Sequence, residues 1–415
     1  MSKSKVKNLS NSQVSVEVKI ERDRFKSYWE AAHERAAAKI ELKGFRPGAA
    51  PKNLIEPLIN KEAVFQSAAE SAIRDSLREL TEENDWQVID KPEIDVDEKD
   101  MDLIYRAKLT LFPKVALGDY KKIAKTANEE LAKTITGLSV DEVELQKSIE
   151  WLRESRASEI RSPRPAKAGD LVELSVLVSV ADKRLPDLDL KKEKLLIGKD
   201  SFLPDFDKHV VGRTEGEEFK LEIKAPENFW QKNLAGQAVT CEVKIEAIFE
   251  RQLPDLNDEF AKSLVPNFQS LEDLKKGVKE GMLEEKKIRE EEKSRIKIVT
   301  EIAKASKAEL PEVMIDRTLN SLLNELQAFA KQSGRTEDKL REELRPKARE
   351  DVMKNLVIYE IVKKENLYPT KEELESEKSR RGKRPDGVDE AAYDDYIYGV
   401  ILNQKALAYL NSINQ

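Results

Sequence analysis

The sequence predicts a multidomain α+β protein: an α+β head, a β-rich middle module, and an elongated, all-helical carboxyl-terminal part. Three observations predict it. The chain has 415 residues, which at ordinary domain size corresponds to about two to four domains. Charged residues make up 37%, hydrophobic residues 39%, and there are only 15 glycines, a balance that favours long helices with solvated faces over a single compact core. The hydrophobic period also changes along the chain, from alternating to helical, back to alternating, and finally to helical.

The head opens with Val14, Val16, Val18 and Ile20 in strict alternation, the pattern of a half-buried strand. Phe25, Trp29, Ala32, Ala36 and Ile40 then recur at helical spacing, and the helix they predict stops at Gly44. Gly44-Phe45-Arg46-Pro47-Gly48-Ala49-Ala50-Pro51 packs two glycines and two prolines into a turn that cannot continue a helix. A second helical stretch is expected from about Lys52 to Leu80, with Val64, Ala68, Ala72 and Ile73 on one side. A strand follows through Leu103, Tyr105, Ala107, Leu109 and Leu111. Phe112–Tyr120 reads as an extended linker. Ser139-Val140-Asp141-Glu142 has the spacing of a capping box, which places a helix carrying Trp151 and Leu152 after it. Arg161-Ser162-Pro163-Arg164-Pro165 marks a boundary, and from Asp170 to Phe249 the pattern is β, as in Val172, Leu174, Val176 and in Val239, Cys241, Val243, Ile245. The remainder is charged and amphipathic, with Leu310-Pro311 and Tyr368-Pro369 as breaks between helices. The expected domains are therefore 1–112, a connecting segment 113–163, the β-rich module 164–250, and the helical part 251–415.

Composition also excludes chemistry. A single cysteine, Cys241, leaves no intramolecular disulfide framework and no cysteine-rich zinc site, and two histidines, His33 and His209, are too few for histidine-based catalysis or metal binding. Neither a G-x-G-x-x-G nor a G-x-x-x-x-G-K-[ST] loop is present. No apolar run reaches the ~18 residues of a membrane span, and the opening residues lack a signal-peptide core. The expectation is a cytoplasmic protein with no cofactor, no metal and no membrane partner. Charge is uneven: residues 1–52 hold 12 Lys and Arg against 6 Asp and Glu, within a chain whose net charge is −7. A basic head on an acidic body suits a phosphate-rich partner for the head.

The residues that bear most on function are in the Gly44–Pro51 turn. Phe45 at its tip either folds back as a helix staple or enters an apolar crevice of a partner, while Arg46 pairs with a phosphate or carboxylate. Gly-Phe-Arg-x-Gly-x-x-Pro at this position, here Gly44, Phe45, Arg46, Gly48 and Pro51, resembles the signature of the trigger factor family of bacterial ribosome-associated chaperones. The likeness covers nearly the whole chain. Leu111–Tyr120 is similar to the family's passage out of the head, Phe202–Glu218 to its FK506-binding-protein-like module, and Leu253–Lys262 and Leu310–Ile315 to its carboxyl-terminal domain.

The resemblance implies ribosome docking through that turn, at the large subunit near the exit tunnel, on ribosomal protein and RNA. It also implies ATP-independent binding of nascent or unfolded polypeptides by the helical part, and self-dimerisation off the ribosome. Where the family usually has a basic residue this chain has Ala49, so docking leans on Lys43, Arg46 and Lys52. Tyr393, Tyr396, Tyr398, Ile401 and Leu402 are candidates either for a client surface or for core.

The resemblance further implies a peptidyl-prolyl isomerase fold in the middle module, with Leu203 and Phe206 on the pocket floor and Phe229 where a tyrosine is usual. Such an isomerase uses no nucleophile. A dry aromatic pocket favours the twisted, less dipolar amide over the planar one. Val176, Leu185, Pro186 and Cys241 replace groups that would line or polarise that pocket, so catalysis is expected to be weak. Two other readings compete with the chaperone: a prolyl isomerase with helical accessory domains, and a helical scaffold for folded partners. His33 and the Lys378–Arg384 cluster read as solvated surface, His209 as structural, and Cys241 as a small buried hydrophobe.

Overall fold

Alternation in the first residues does what a period of two requires, turning every second side chain of β2 (Gln13–Ile20) to one face of a sheet. β2 lies between β1 (Lys3–Asn8) and a later strand, and buries Val14, Val16, Val18 and Ile20. The structure is a computed structural model that describes residues 3–40, 52–99, 102–181, 183–229, 234–265, 267–333 and 336–413. It has two compact units. Met1–Thr136 and Glu290–Gln415 form the first, and Gly137–Arg289 the second.

In the first unit, α1 (Arg22–Ala38) follows β2, then α2 (Lys52–Ile55), α3 (Lys61–Glu83), β3 (Glu93–Lys99) and β4 (Asp102–Thr110). The sheet is antiparallel in the order β1-β2-β4-β3, and α1 and α3 cover one face of it. The helical stretch expected without a break from Lys52 is interrupted. A 3-10 turn at Glu56–Leu58 contains Pro57, and α3 starts afresh where the Asn60 side chain accepts from the Glu62 and Ala63 amides at 3.0 and 3.2 Å. Ala68, Ala69 and Ala72 let α3 sit close to the sheet. Deep in that layer Ser76 donates to the Ile73 carbonyl at 3.0 Å, so its oxygen accepts from the Tyr105 hydroxyl at 2.7 Å. Burial pushes the Tyr105 phenol up to about 12.

After Phe112 the chain is extended, bridging Ala116 to Lys307, and at Gly118 a Cβ would lie 2.7 Å from that of Ala305. Here the linker ends in a helix that the sequence reading did not place, α4 (Tyr120–Thr136). Its Tyr120, Ala124 and Ala127 enter a core with Ile298, Ile302, Val357, Ile361 and Leu410. Tyr120 donates to Glu365 at 2.5 Å, and Lys121 lies 3.0 Å from the same carboxylate.

In the second unit α5 (Glu142–Ser155) begins at Asp141 rather than Ser139. The capping box pairs Asp141 with Glu144, because the Asp141 carboxylate accepts from the Glu144 amide at 2.8 Å. Then come β5 (Ser158–Arg161), β6 (Leu171–Val180), β7 (Lys183–Arg184), β8 (Leu190–Leu196), α6 (Phe206–Val210), β9 (Glu218–Lys224) and β10 (Ala238–Gln252). The six strands pair antiparallel in the order β5-β10-β6-β7, with β8 on β6 and β9 on β10. β10 runs two residues beyond the expected boundary at 250. Cys241 faces Val178 and Val243 faces Val176, all buried, and a register shift after Ile245 marks a bulge in β10. α7 (Asp258–Leu264) and the first half of α8 (Leu271–Ala305) pack with α5 through Leu145, Ile149, Leu152, Leu274 and Val278.

The rest of α8 belongs to the first unit, with α9 (Glu312–Ser333), α10 (Glu337–Glu365), α11 (Lys371–Arg381) and α12 (Glu390–Ser412). The two Pro breaks fall between α8 and α9 and between α10 and α11. Asn366 ends α10 in the left-handed region, and Thr370 and Glu373 form a capping box that starts α11.

Candidate functional site

Gly44, Phe45, Arg46, Gly48 and Pro51, with Lys43 and Ala49, lie outside the described residues. α1 and α3 are locked together by aromatic packing of Phe25 and Trp29 on Phe65, at 5.4 and 6.5 Å between ring centroids.

In the β-rich module, α6 brings Phe206 onto the inner face of the sheet. Phe206 and Leu203 share one core with Val176 and Cys241, and Leu185 and Phe229 pack against it half-buried. Phe202 meets Phe206 edge-on at 5.1 Å. The two expected floor residues are closed off, Leu203 being 2% and Phe206 0% exposed. Burial pushes the Cys241 thiol up to about 12, so it is not a nucleophile at neutral pH. Pro186 is exposed, at the start of a 3-10 turn (Pro186–Leu188).

Carboxylates tie the loops of this module down. Asp207 accepts from the Gly198 and Asp200 amides at 2.6 and 2.8 Å, joining α6 to the turn after β8. Asp170 accepts both Arg164 nitrogens at 2.6 and 2.9 Å and the Lys167 amide at 2.8 Å. Burial pushes its carboxyl up, but the Arg164 and Lys167 hydrogen bonds outweigh this and hold it below the usual range. Asp189 has the same balance, with burial opposed by the Val178 amide at 2.9 Å and by Arg184 at 2.8 Å.

Elsewhere in the chain, His33 lies 3.2 Å from Glu56, and His209 is exposed. Lys378, Arg380 and Arg381 of the basic cluster are drawn into pairs with Asp394 and Glu377. Ile401 and Leu402 are core, Tyr393 and Tyr398 half-buried, and Tyr396 is 55% exposed beside Arg381. Among the described residues no group of three or more His, Cys, Asp or Glu could hold a metal, and no helix is long and apolar enough to cross a membrane.

The sequence reading missed two grooves that run along α4. One, of ≈580 Å³, is lined by Asn128, Leu131, Ala132, Ile135, Glu291 and Arg295. The other, of ≈510 Å³, is lined by Ile123, Ala127, Lys297, Ile298 and Glu301. The signal for the helix was present as Tyr120, Ala124, Ala127 and Leu131 at helical spacing, but the grooves need partners from α8, far along the chain. Each combines an apolar floor with a charged rim, which suits weak contact with an extended apolar segment.

Two family models match the chain: "Bacterial trigger factor protein (TF)" over residues 2–145 and "Bacterial trigger factor protein (TF) C-terminus" over residues 270–390. The chain is 29% identical to a trigger factor of Caldicellulosiruptor bescii, covering 98% of this chain and 95% of that protein. It is 30% identical to a trigger factor of Caldicellulosiruptor saccharolyticus, covering 91% of this chain and 87% of that one. A solved structure described as "Promiscuous Substrate Recognition in Folding and Assembly Activities of the Trigger Factor Chaperone" superposes with a TM-score of 0.55 at 23% identity, covering 99% of this chain and 100% of that one.

Proposed function

Since the chain belongs to the trigger factor family, we propose that it is an ATP-independent chaperone that docks on the large ribosomal subunit near the exit tunnel and shields emerging chains. The observation that carries this reading is the Gly44-Phe45-Arg46-x-Gly48-x-x-Pro51 signature, set in a chain related to trigger factors along nearly its full length. Phe45 supplies an apolar anchor and Arg46 a charge-assisted bond, the pair of contacts that dominate small interfaces. The α4 grooves and the exposed apolar side chains Ile288, Ile296 and Tyr396 supply weak client contacts. Tethering at the ribosome raises their effective concentration, so no nucleotide-driven step is needed for capture or release. Prolyl isomerisation is expected to be weak at most, because Leu203 and Phe206 offer a substrate almost no surface. The test is co-sedimentation with ribosomes. Phe45→Ala with Arg46→Ala is expected to abolish pelleting while leaving the circular dichroism spectrum unchanged, and undiminished pelleting of this folded variant would sink the docking assignment.

A further inference from the structure

The head sheet has a second face, and its charge is sorted by strand. Residues opposite the buried side of β1, β2 and β4 include Lys5, Lys7, Glu17, Lys19, Arg106 and Lys108, which the strand register places side by side: Lys5 beside Glu17 beside Arg106, and Lys7 beside Ser15 beside Lys108. Among the described side chains these three strands thus present five cations and one carboxylate, and Glu17 is held between Lys5 at 3.4 Å and Arg106 at 3.2 Å. The fourth strand, β3, presents Glu93, Asp95 and Asp97 on the same face. The two helices on the opposite side do not share the excess, since α1 and α3 together carry seven Lys and Arg against nine Asp and Glu. Lys5 is 87% and Arg106 60% exposed at the side chain, and Lys7 and Lys19 are exposed as well. Among the described residues this face bears no aromatic side chain.

We infer that the outer face of β1, β2 and β4 is a contact surface for the phosphate backbone of an RNA helix. Neighbouring strands are ~4.8 Å apart and alternate residues ~6.8 Å apart, so the cations form a flat grid of long side chains that can follow a curved row of phosphates. Without aromatic side chains there is no platform for stacking unpaired bases, which favours a duplex read by its backbone over single strands. The acidic strand β3 repels phosphate at one edge and so fixes which way the helix lies across the sheet. The choice of RNA rests on the ribosome reading above. The contact itself is separate from the Gly44–Pro51 segment.

The test uses the full chain and a labelled RNA duplex of about 16 base pairs, followed by fluorescence anisotropy across a salt series. Wild type is expected to bind at low salt. Lys7→Glu with Lys108→Glu should weaken binding at least about tenfold and flatten the log–log salt slope by about two, one per lost phosphate contact. Glu17→Gln, which removes the carboxylate from the centre of the patch, should tighten binding, a gain that misfolding cannot imitate. Arg78→Glu, a charge change on the helical side of the head, should bind the duplex as wild type does, and the duplex assay reads the sheet face independently of ribosome pelleting. The inference is overturned if wild type ignores the duplex at low salt or if the Lys7 and Lys108 variant binds it equally well. It is also overturned if poly-glutamate competes as strongly as RNA, or if anionic vesicles are bound and the duplex is not.

Discussion

In the head, the deepest polar contact is the neutral pair of Ser76 and Tyr105, whereas the β-rich module buries the carboxylates of Asp170, Asp189 and Asp207. Both sheets are antiparallel and both are built from alternating valines, leucines and isoleucines. The head is closed by an apolar layer of helices, so its charged groups remain outside the core. Among the described residues the module has only the short α6 over its sheet and uses charged clasps to hold its loops over the core. The charged residues of the head therefore pair at its surface, while those of the module are occupied in keeping it shut.

The largest expected effect lies in the module. Phe206→Ala removes a fully buried ring from the centre of the core and should cost about 3–5 kcal/mol. Amide exchange resolved by segment should show the loss in residues 158–252 and leave the head sheet protected. An equal loss in the head would mean that the two regions unfold as one.

Acid should separate the regions next. Asp170 and Asp189 have folded values below the unfolded value of 3.8, so their contribution is complete above that pH and is lost as pH falls through the lower folded values. The buried Tyr105 is neutral throughout this window. Protection in β6 and β10 is expected to fall below about pH 4 before protection in β2 and β4 does. The reverse order would break the comparison.

The smallest effect is expected from Tyr105→Phe, which deletes one buried neutral hydrogen bond while Ser76 keeps its bond to Ile73. A cost of about 0.5–1.5 kcal/mol in urea unfolding is expected. A cost several times larger would reveal a polar network in the head comparable to that of the module.

Much of this contrast could be read from residue patterns. Val14 to Ile20 and Val172 to Val178 announce their strands by period alone, and the burial of Cys241 follows from its place in such a run. The clasps could not be read, because Asp170 and Asp207 matter through amides and an arginine that only the folded loops bring within reach. Lys5, Lys7 and Lys19 alternate visibly in sequence, yet their meeting with Arg106 and Lys108 depends on pairing across about a hundred residues. α4 escaped for a related reason. Pro113 and Gly118 argued for a linker, while the small face of Tyr120, Ala124 and Ala127 gains meaning only against α8, α10 and α12. The start of α5 was misplaced by two residues because Ser139 and Asp141 both have an acidic residue three positions on, and Asp141 is the one that caps.

The seat of Gly118 beside Ala305 has a consequence for synthesis. The Gly118 amide donates to Ser306, 188 residues further along the chain, and closing an unstructured loop of that length costs about 4–5 kcal/mol in chain entropy. While the ribosome is still making this protein, the head can fold early from its own residues, but α4 has nothing to dock on until α8, α10 and α12 have emerged. Residues 137–289 form a contiguous unit, and by folding in the interval they shorten the effective loop and make the late closure affordable. This member of the trigger factor family is thus itself completed last at a joint whose two halves are made far apart in time, and it must leave part of its own core open while it waits.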